Sequence, residues 1–244
     1  MKSLGRMFLF LLTVLLSSCI EGDEEIFLNA DGSARLKAVY SLPAIIFSDE
    51  DAERMKEQIA KEIGEEEKII LLTNKVEKVN GKQVITIEVE TGNLVRLEDL
   101  MGDDDLDDDS GDKSEQILDT LLGEFTYQRE GLAVGLNRKV DLAPLLDKYV
   151  GPRWPSMVGD SEFRYTIHFP KAVKTSNAHE SFNGGRTVKW KYKLSDCRET
   201  PIELSIVAPI PVPWWLYAGL GCVVVLILVG IWKWVARMKR RAEA

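Results

Sequence analysis

Phe163-Arg164-Tyr165-Thr166-Ile167-His168-Phe169 and Val188-Lys189-Trp190-Lys191-Tyr192-Lys193-Leu194 decide the fold class of this chain. In both stretches every second residue is large and apolar, and the residues between them are polar or charged. That period of two belongs to a strand with one buried face, because successive strand side chains point to opposite sides. Phe163, Tyr165, Ile167 and Phe169 form one buried row, and Val188, Trp190, Tyr192 and Leu194 form another. Residues 202–207 read as a final strand.

The same alternation recurs upstream. A short strand over 25–28 meets the turn Asn29-Ala30-Asp31-Gly32, after which Leu36, Ala38, Tyr40 and Leu42 share one face. Asn80-Gly81 joins residues 69–79 to 83–90, with Ile85, Ile87 and Val89 inward. Asn-Gly favours the type I′ turn that matches strand twist. Glu130-Gly131 separates strands over 125–129 and 132–136. Between these hairpins lie helical patterns. Ser48 caps a helix in which Ala52, Met55, Ile59 and Ile63 recur at helical spacing, Asp51 completes a capping box, and Gly64 ends it. Shorter helices are expected over 94–101, over 115–122 with Ser114 as cap, and over 141–149 with Pro144 in the first turn. The fold class expected is α+β: an antiparallel hairpin-rich sheet packed with a few amphipathic helices, plus one C-terminal transmembrane helix.

Both ends carry membrane signals. Lys2 and Arg6 precede the apolar run 7–16, which is too short to span a bilayer core of about 30 Å. Leu16-Ser17-Ser18-Cys19 follows, the pattern of a lipobox in which Cys19 is acylated, by palmitate or a similar chain, after removal of residues 1–18 as a signal peptide. Residues 214–234 are apolar except for Lys233, with Trp214, Trp215 and Tyr217 at one edge and Trp232 and Trp234 at the other. Lys233, Arg237, Lys239, Arg240 and Arg241 belong on the cytoplasmic side. The organisation expected is an extracytoplasmic domain over 19–208, a Pro-rich juxtamembrane linker over 209–213, a transmembrane helix over 214–234 and a basic cytoplasmic tail over 235–244. That places the protein at a bacterial cytoplasmic membrane, lipid-anchored and single-pass.

Of the chain's 31 Lys and Arg, seven lie outside the region between Ile20 and Ala208, as does one of its 39 Asp and Glu; the region is therefore 24 basic against 38 acidic, net −14. Such a domain repels polyanions at long range, which excludes nucleic acid as a partner. Cys19 and Cys222 fall in the two anchors, so Cys197 has no partner for a disulfide inside the domain.

Several of these stretches together resemble the LppM-type family of bacterial lipoproteins: the lipobox, Asp31-Gly32-Ser33-Ala34 after a strand, residues 163–170, Ser176-Asn177-Ala178, Gly185-Arg186-Thr187-Val188-Lys189-Trp190, and a proline-tryptophan entry into one terminal helix. The resemblance implies an extracytoplasmic α+β domain held at the membrane, with no catalytic residues to carry over. The acidic loop and the strongly negative domain depart from that pattern.

Candidate chemistry is sparse. The acidic loop 102–112 has the carboxylates for calcium but not the EF-hand spacing: with Asp105, Asp107 and Asp109 as first ligands, Ser110 replaces the glycine and Gln116 the bidentate glutamate. Two histidines, His168 and His179, and one domain cysteine are too few for a structural zinc site. No nucleophile elbow, phosphate loop or dinucleotide fingerprint is present. No cofactor, metal or enzymatic activity is expected. The outward positions of the two regular strands carry Arg164, His168, Lys189, Lys191 and Lys193, a basic binding face if those strands pair; lysines there also guard strand edges against aggregation. The function expected is a non-catalytic envelope module that binds a lipid, a wall polymer or a protein partner, with a scaffold or accessory subunit of a membrane complex as the alternative.

Overall fold

The computed structural model describes residues 20–65, 68–92, 113–152, 154, 158–159 and 161–210. All belong to the unit Met1–Ile210; a second unit, Pro211–Ala244, holds the apolar C-terminal segment. The signal segment with Cys19, the 94–101 stretch, the acidic loop and the 214–234 segment lie outside the described residues. Among the described residues no helix is long and apolar enough to cross a membrane.

The elements in chain order are β1 (Glu21–Leu28), β2 (Ala34–Pro43), α1 (Asp49–Glu65), β3 (Ile69–Val79), β4 (Lys82–Thr91), α2 (Lys113–Leu122), β5 (Glu124–Glu130), β6 (Ala133–Val140), α3 (Ala143–Tyr149), β7 (Glu162–His168), β8 (Thr175–Ser176), β9 (Glu180–Phe182), β10 (Thr187–Lys193), a 3-10 turn (Leu194–Arg198) and β11 (Ile202–Pro209). The fold is α+β and sheet-rich. The strands make two sheets rather than the one expected: a seven-stranded sheet ordered β3-β4-β2-β1-β7-β10-β9 and a four-stranded sheet ordered β5-β6-β11-β8.

Local chemistry accounts for the hairpins. Asn80 and Gly81 take φ of 52° and 76°, the pair of positive values a type I′ turn needs. The Ser48 amide donates to Asp51 Oδ2 at 3.0 Å and the Asp51 amide to Ser48 Oγ at 3.1 Å, closing the capping box at the head of α1. That helix runs through Gly64 to Glu65. α2 begins at Lys113, so Ser114 falls inside it rather than capping it. β1 begins at Glu21, four residues earlier than its apolar pattern shows.

Two departures are tertiary. β1 pairs with β7 in parallel, Gly22 opposite Phe163 and Phe27 opposite His168. A parallel pair needs a long crossover, and here most of the domain lies between the partners. β11 leaves the sheet that holds β10 and pairs instead with β6, Ile202 opposite Val140 and Pro209 opposite Ala133. The buried sides of both sheets and of α1 and α2 share one core, in which Trp154, Trp190, Tyr165, Phe47 and Phe163 are fully buried. Each such side chain stabilises the fold by about 1.5–3 kcal/mol over its exposed state.

Candidate functional site

An acid stands where the strand period demands an apolar residue. Glu24 faces inward from the central strand β1 and is buried. Removing a carboxylate from water is costly unless a cation and hydrogen bonds replace the solvent. Arg138, buried on β6, supplies them: its Nη2 donates to Glu24 Oε1 at 3.1 Å and its Nη1 donates to Glu24 Oε2. The Tyr40 hydroxyl, from β2, donates to Glu24 Oε1 at 2.5 Å. Arg138 also donates through Nε to the Leu122 carbonyl at 2.8 Å and through Nη2 to the Leu121 carbonyl at 2.7 Å. Those carbonyls end α2 and have no partner within the helix. The Phe125 and Tyr165 rings lie 5.2 Å and 5.1 Å from the guanidinium carbon, within cation–π range.

Burial and charge hold Tyr40, Tyr165 and Arg138 of this network protonated. Burial, with the Glu24 charge added, holds the Tyr40 phenol well above its ordinary value. Burial works to lower Arg138, but the Glu24 charge and hydrogen bonds outweigh it and raise the guanidinium above its ordinary value. Tyr165 is raised by burial and then by Glu24. A phenol that cannot ionise and an arginine that cannot lose its proton do not exchange protons near neutral pH. The cluster ties β1, β2, β6 and the end of α2 together.

Above this pair lies an apolar cleft of about 70 Å³ between α1, α2 and the large sheet. Ile59 and Ile63 of α1, Leu118 and Leu122 of α2, and Leu36 and Ile87 of the sheet wall it, and Glu24, Tyr40 and Arg138 are its polar lining on the sheet side. One water needs about 10–15 Å³ measured this way, so the cleft has room for the end of an alkyl chain and not for a whole lipid. A smaller apolar cleft of about 40 Å³ lies among Ile20, Ile46, Phe47, Leu145, Leu146 and Leu194. On the opposite, outward face of the large sheet, a polar groove of about 330 Å³ is lined by Glu21, Asp23, Glu25, Lys37, Ser41 and Arg164.

β7 and β10 pair antiparallel, with Lys191 opposite Arg164 and Thr187 opposite His168. This brings Arg164, His168, Lys189, Lys191 and Lys193 onto one face of the sheet. The parallel neighbour β1 and β7 itself set acids among them. Arg164 Nε lies 3.1 Å from Asp23 Oδ2, His168 Nε2 lies 2.9 Å from Glu25 Oε1, and Lys191 Nζ lies 2.9 Å from Glu162 Oε1. Phe27 stacks on the His168 ring at 4.4 Å. Lys189 and Lys193 make no ion pair among the described residues.

Cys197 is buried, and burial followed by the Asp196 and Asp141 charges pushes its thiol up to about 12. Its sulfur is 3.4 Å from the Lys193 carbonyl. Neither histidine accompanies it: His168 faces outward beside Glu25, and His179 Nδ1 accepts the Lys191 amide at 3.0 Å. Among the described residues no three His, Cys, Asp or Glu side chains are grouped to hold a metal ion.

No protein-family model and no curated protein matches the chain. Among solved structures, the chain is similar to the folded domain of Mycobacterium tuberculosis LppM, determined by NMR, at 14% identity over 80% of this chain and 91% of that chain, with a TM-score of 0.48. It is also similar to the Danio rerio Fcho1 Mu homology domain with bound Eps15 peptide, at 8% identity over 82% of each chain, with a TM-score of 0.26.

Sequence reasoning missed Glu24 and Arg138. Glu24 sits in the run Glu21-Gly22-Asp23-Glu24-Glu25, which reads as solvated charge, and Arg138 sits beside Lys139. Once β1 is extended back to Glu21, the inward parity of Glu24 is the signal that finds it.

Proposed function

We propose that this protein is an envelope lipoprotein, acylated at Cys19 and anchored again by the 214–234 segment, whose extracytoplasmic body binds the alkyl portion of an amphiphile without converting it. The observation that carries the binding role is the cleft between α1, α2 and the sheet. Its walls are mainly aliphatic; of its polar groups, Glu24, Tyr40 and Arg138 bond one another, and Glu62 of α1 accepts from the Gln58 side chain. An alkyl chain entering it gains apolar burial at about 25 cal/mol per Å² and displaces water from a surface with little to offer it. The non-catalytic character rests on the buried, proton-bound Cys197 and on Tyr40 and Arg138, which keep their protons beside Glu24.

The test is native mass spectrometry of the full chain purified from its own membranes. A retained lipid, lost when Leu118→Trp fills the cleft while the fold is kept, supports this function. Equal lipid retention by both proteins refutes it.

A second function has its own observation. The outward groove, with Ser41, Lys37 and three carboxylates, suits a polyhydroxylated wall polymer rather than a lipid. Chemical-shift or fluorescence titration with soluble wall fragments separates the two: perturbation confined to the β1–β2 outer face favours the polymer.

A further inference from the structure

The two ends of the described body lie at opposite ends of its strands. Ile20 is buried, its amide donates to Ser161 Oγ at 3.0 Å, and β1 starts at the next residue. β7 runs parallel to β1, and β10 antiparallel to β7. β11 follows β1 and β7 in direction. Its Glu203 carbonyl accepts the Tyr192 hydroxyl at 2.7 Å, its Ser205 amide shares Asn177 Oδ1 with Trp190 Nε1, and its Val207 carbonyl accepts the Lys174 amide, just beyond β7. The chain therefore enters at one end of the sheets and leaves, at Ile210, at the other. Along a strand of eight residues that separation is about 25 Å.

The attachments have little slack. Cys19 is one residue from Ile20. Four residue steps separate Ile210 from Trp214, and even fully extended they span at most about 14 Å. A body standing upright on its Ile20 end would hold Ile210 about 25 Å from that end, beyond this reach.

Exposed aliphatic side chains occur at both ends, and Ile45 and Leu132 are the most exposed of them among the described residues. Ile45 is 94% exposed, in the loop whose next residue, Ile46, shares the small apolar cleft with Ile20. Leu132 is 67% exposed, and its carbonyl accepts the Ile210 amide at 2.9 Å. The domain's charge of −14 opposes broad electrostatic adhesion to an anionic bilayer, which leaves point insertion of apolar groups as the favourable contact.

We propose that the body lies lengthwise on the bilayer, strands nearly parallel to the membrane plane, with Ile45 and Leu132 entering the headgroup layer at its two ends and the charged outer face of the seven-stranded sheet turned to water. This rests on the double anchorage proposed above.

The test uses the full chain, purified from its own membranes with C222S and reconstituted in phosphatidylcholine–phosphatidylglycerol vesicles. An environment-sensitive fluorophore is placed singly by I45C, L132C or K37C; Cys197 is buried and does not react. At an insertion depth of about 5–10 Å, doxyl-labelled lipid should quench the I45C and L132C probes about twofold, while K37C responds only to aqueous iodide. Quenching by lipid at one of the two ends alone, at neither, or at K37C overturns the orientation while the anchors stand. Alkaline carbonate extraction of the unlabelled chain, or a reporter at Ala244 found outside the cell, overturns the double anchorage and the orientation with it.

Discussion

Glu24 and Arg138, 114 residues apart in sequence, meet in the core as a buried ion pair, Arg138 Nη2 at 3.1 Å from Glu24 Oε1. Because Arg138 also holds the last carbonyls of α2, the pair joins both sheets and one helix at a single point. Removing one partner strands the other charge in the core. R138M is expected to cost about 3–5 kcal/mol, and E24L/R138M to recover a large part of it. Chemical unfolding of the full chain in detergent measures both. A double variant no better than the single one shows that the pair is not what the single change breaks.

Tyr40 and Tyr165 both border this pair but differ in one bond. The Tyr40 hydroxyl donates to Glu24, whereas the Tyr165 hydroxyl is buried without a hydrogen-bond partner among the described residues. Y40F is expected to cost about 1.5–3 kcal/mol because a bond to a charged group is lost. Y165F is expected to be neutral or stabilising by up to about 1 kcal/mol, since it removes an unsatisfied polar atom. Equal losses from the two would contradict the hydrogen-bond assignment.

Gly123 closes α2 at φ +69°, its amide donating to the Asp119 carbonyl at 2.8 Å. An added Cβ would collide with the Lys139 carbonyl oxygen, a backbone atom that cannot swing aside. G123A combines left-handed strain with that clash and is expected to cost about 2–4 kcal/mol. G32A, at φ +91° with open space around it, pays only the strain, about 1 kcal/mol. Thermal unfolding of the two side by side checks the difference.

Alkaline pH should weaken the fold. Cys197 is pushed up to about 12 from an ordinary 9.0, and Tyr40 and Tyr165 are held above an ordinary 10.0. The unfolded chain releases these protons first, so it binds fewer protons than the native chain at high pH. Stability is therefore complete below about pH 9 and falls as pH rises from about 9 to about 12 for Cys197. C197A should reduce the slope in that window. A free energy of unfolding that stays flat from about pH 9 upward would contradict the burial of these groups.

Cys197 supplies a kinetic check as well. The thiolate is the reactive form, and a raised pKa in a buried site suppresses it. The native full chain with C222S should take up almost no thiol reagent at about pH 8 and one equivalent after unfolding. Rapid native labelling would place Cys197 in an accessible site and revive a nucleophilic role for it.

The local devices were legible in residue order. Asn80-Gly81 fixed a hairpin because only a few residues adopt two successive positive φ values, and Ser48 with Asp51 fixed the head of α1 because their side chains satisfy its free amides. The inward rows Leu36–Leu42, Ile85–Val89 and Phe163–Phe169 were legible because strand parity is a property of the chain alone. The ion pairs at Arg164 and His168 were not, because their acids, Asp23 and Glu25, come from β1, whose register is set only when it lies parallel to β7; the Lys191–Glu162 pair was set by the antiparallel register of β7 and β10.

Neighbours a few residues apart were enough to give the α+β class, the hairpins, the inward parity of β2, β4, β7 and β10 and the apolar segments at either end. The tertiary structure alone decided that β11 joins β6, that Glu24 finds Arg138, and that the chain enters and leaves at opposite ends of the sheets. Those are long-range pairings, chosen by which arrangement buries the apolar rows without stranding Glu24 or Arg138 in the core, and that competition is settled across the whole core rather than along any one stretch of it.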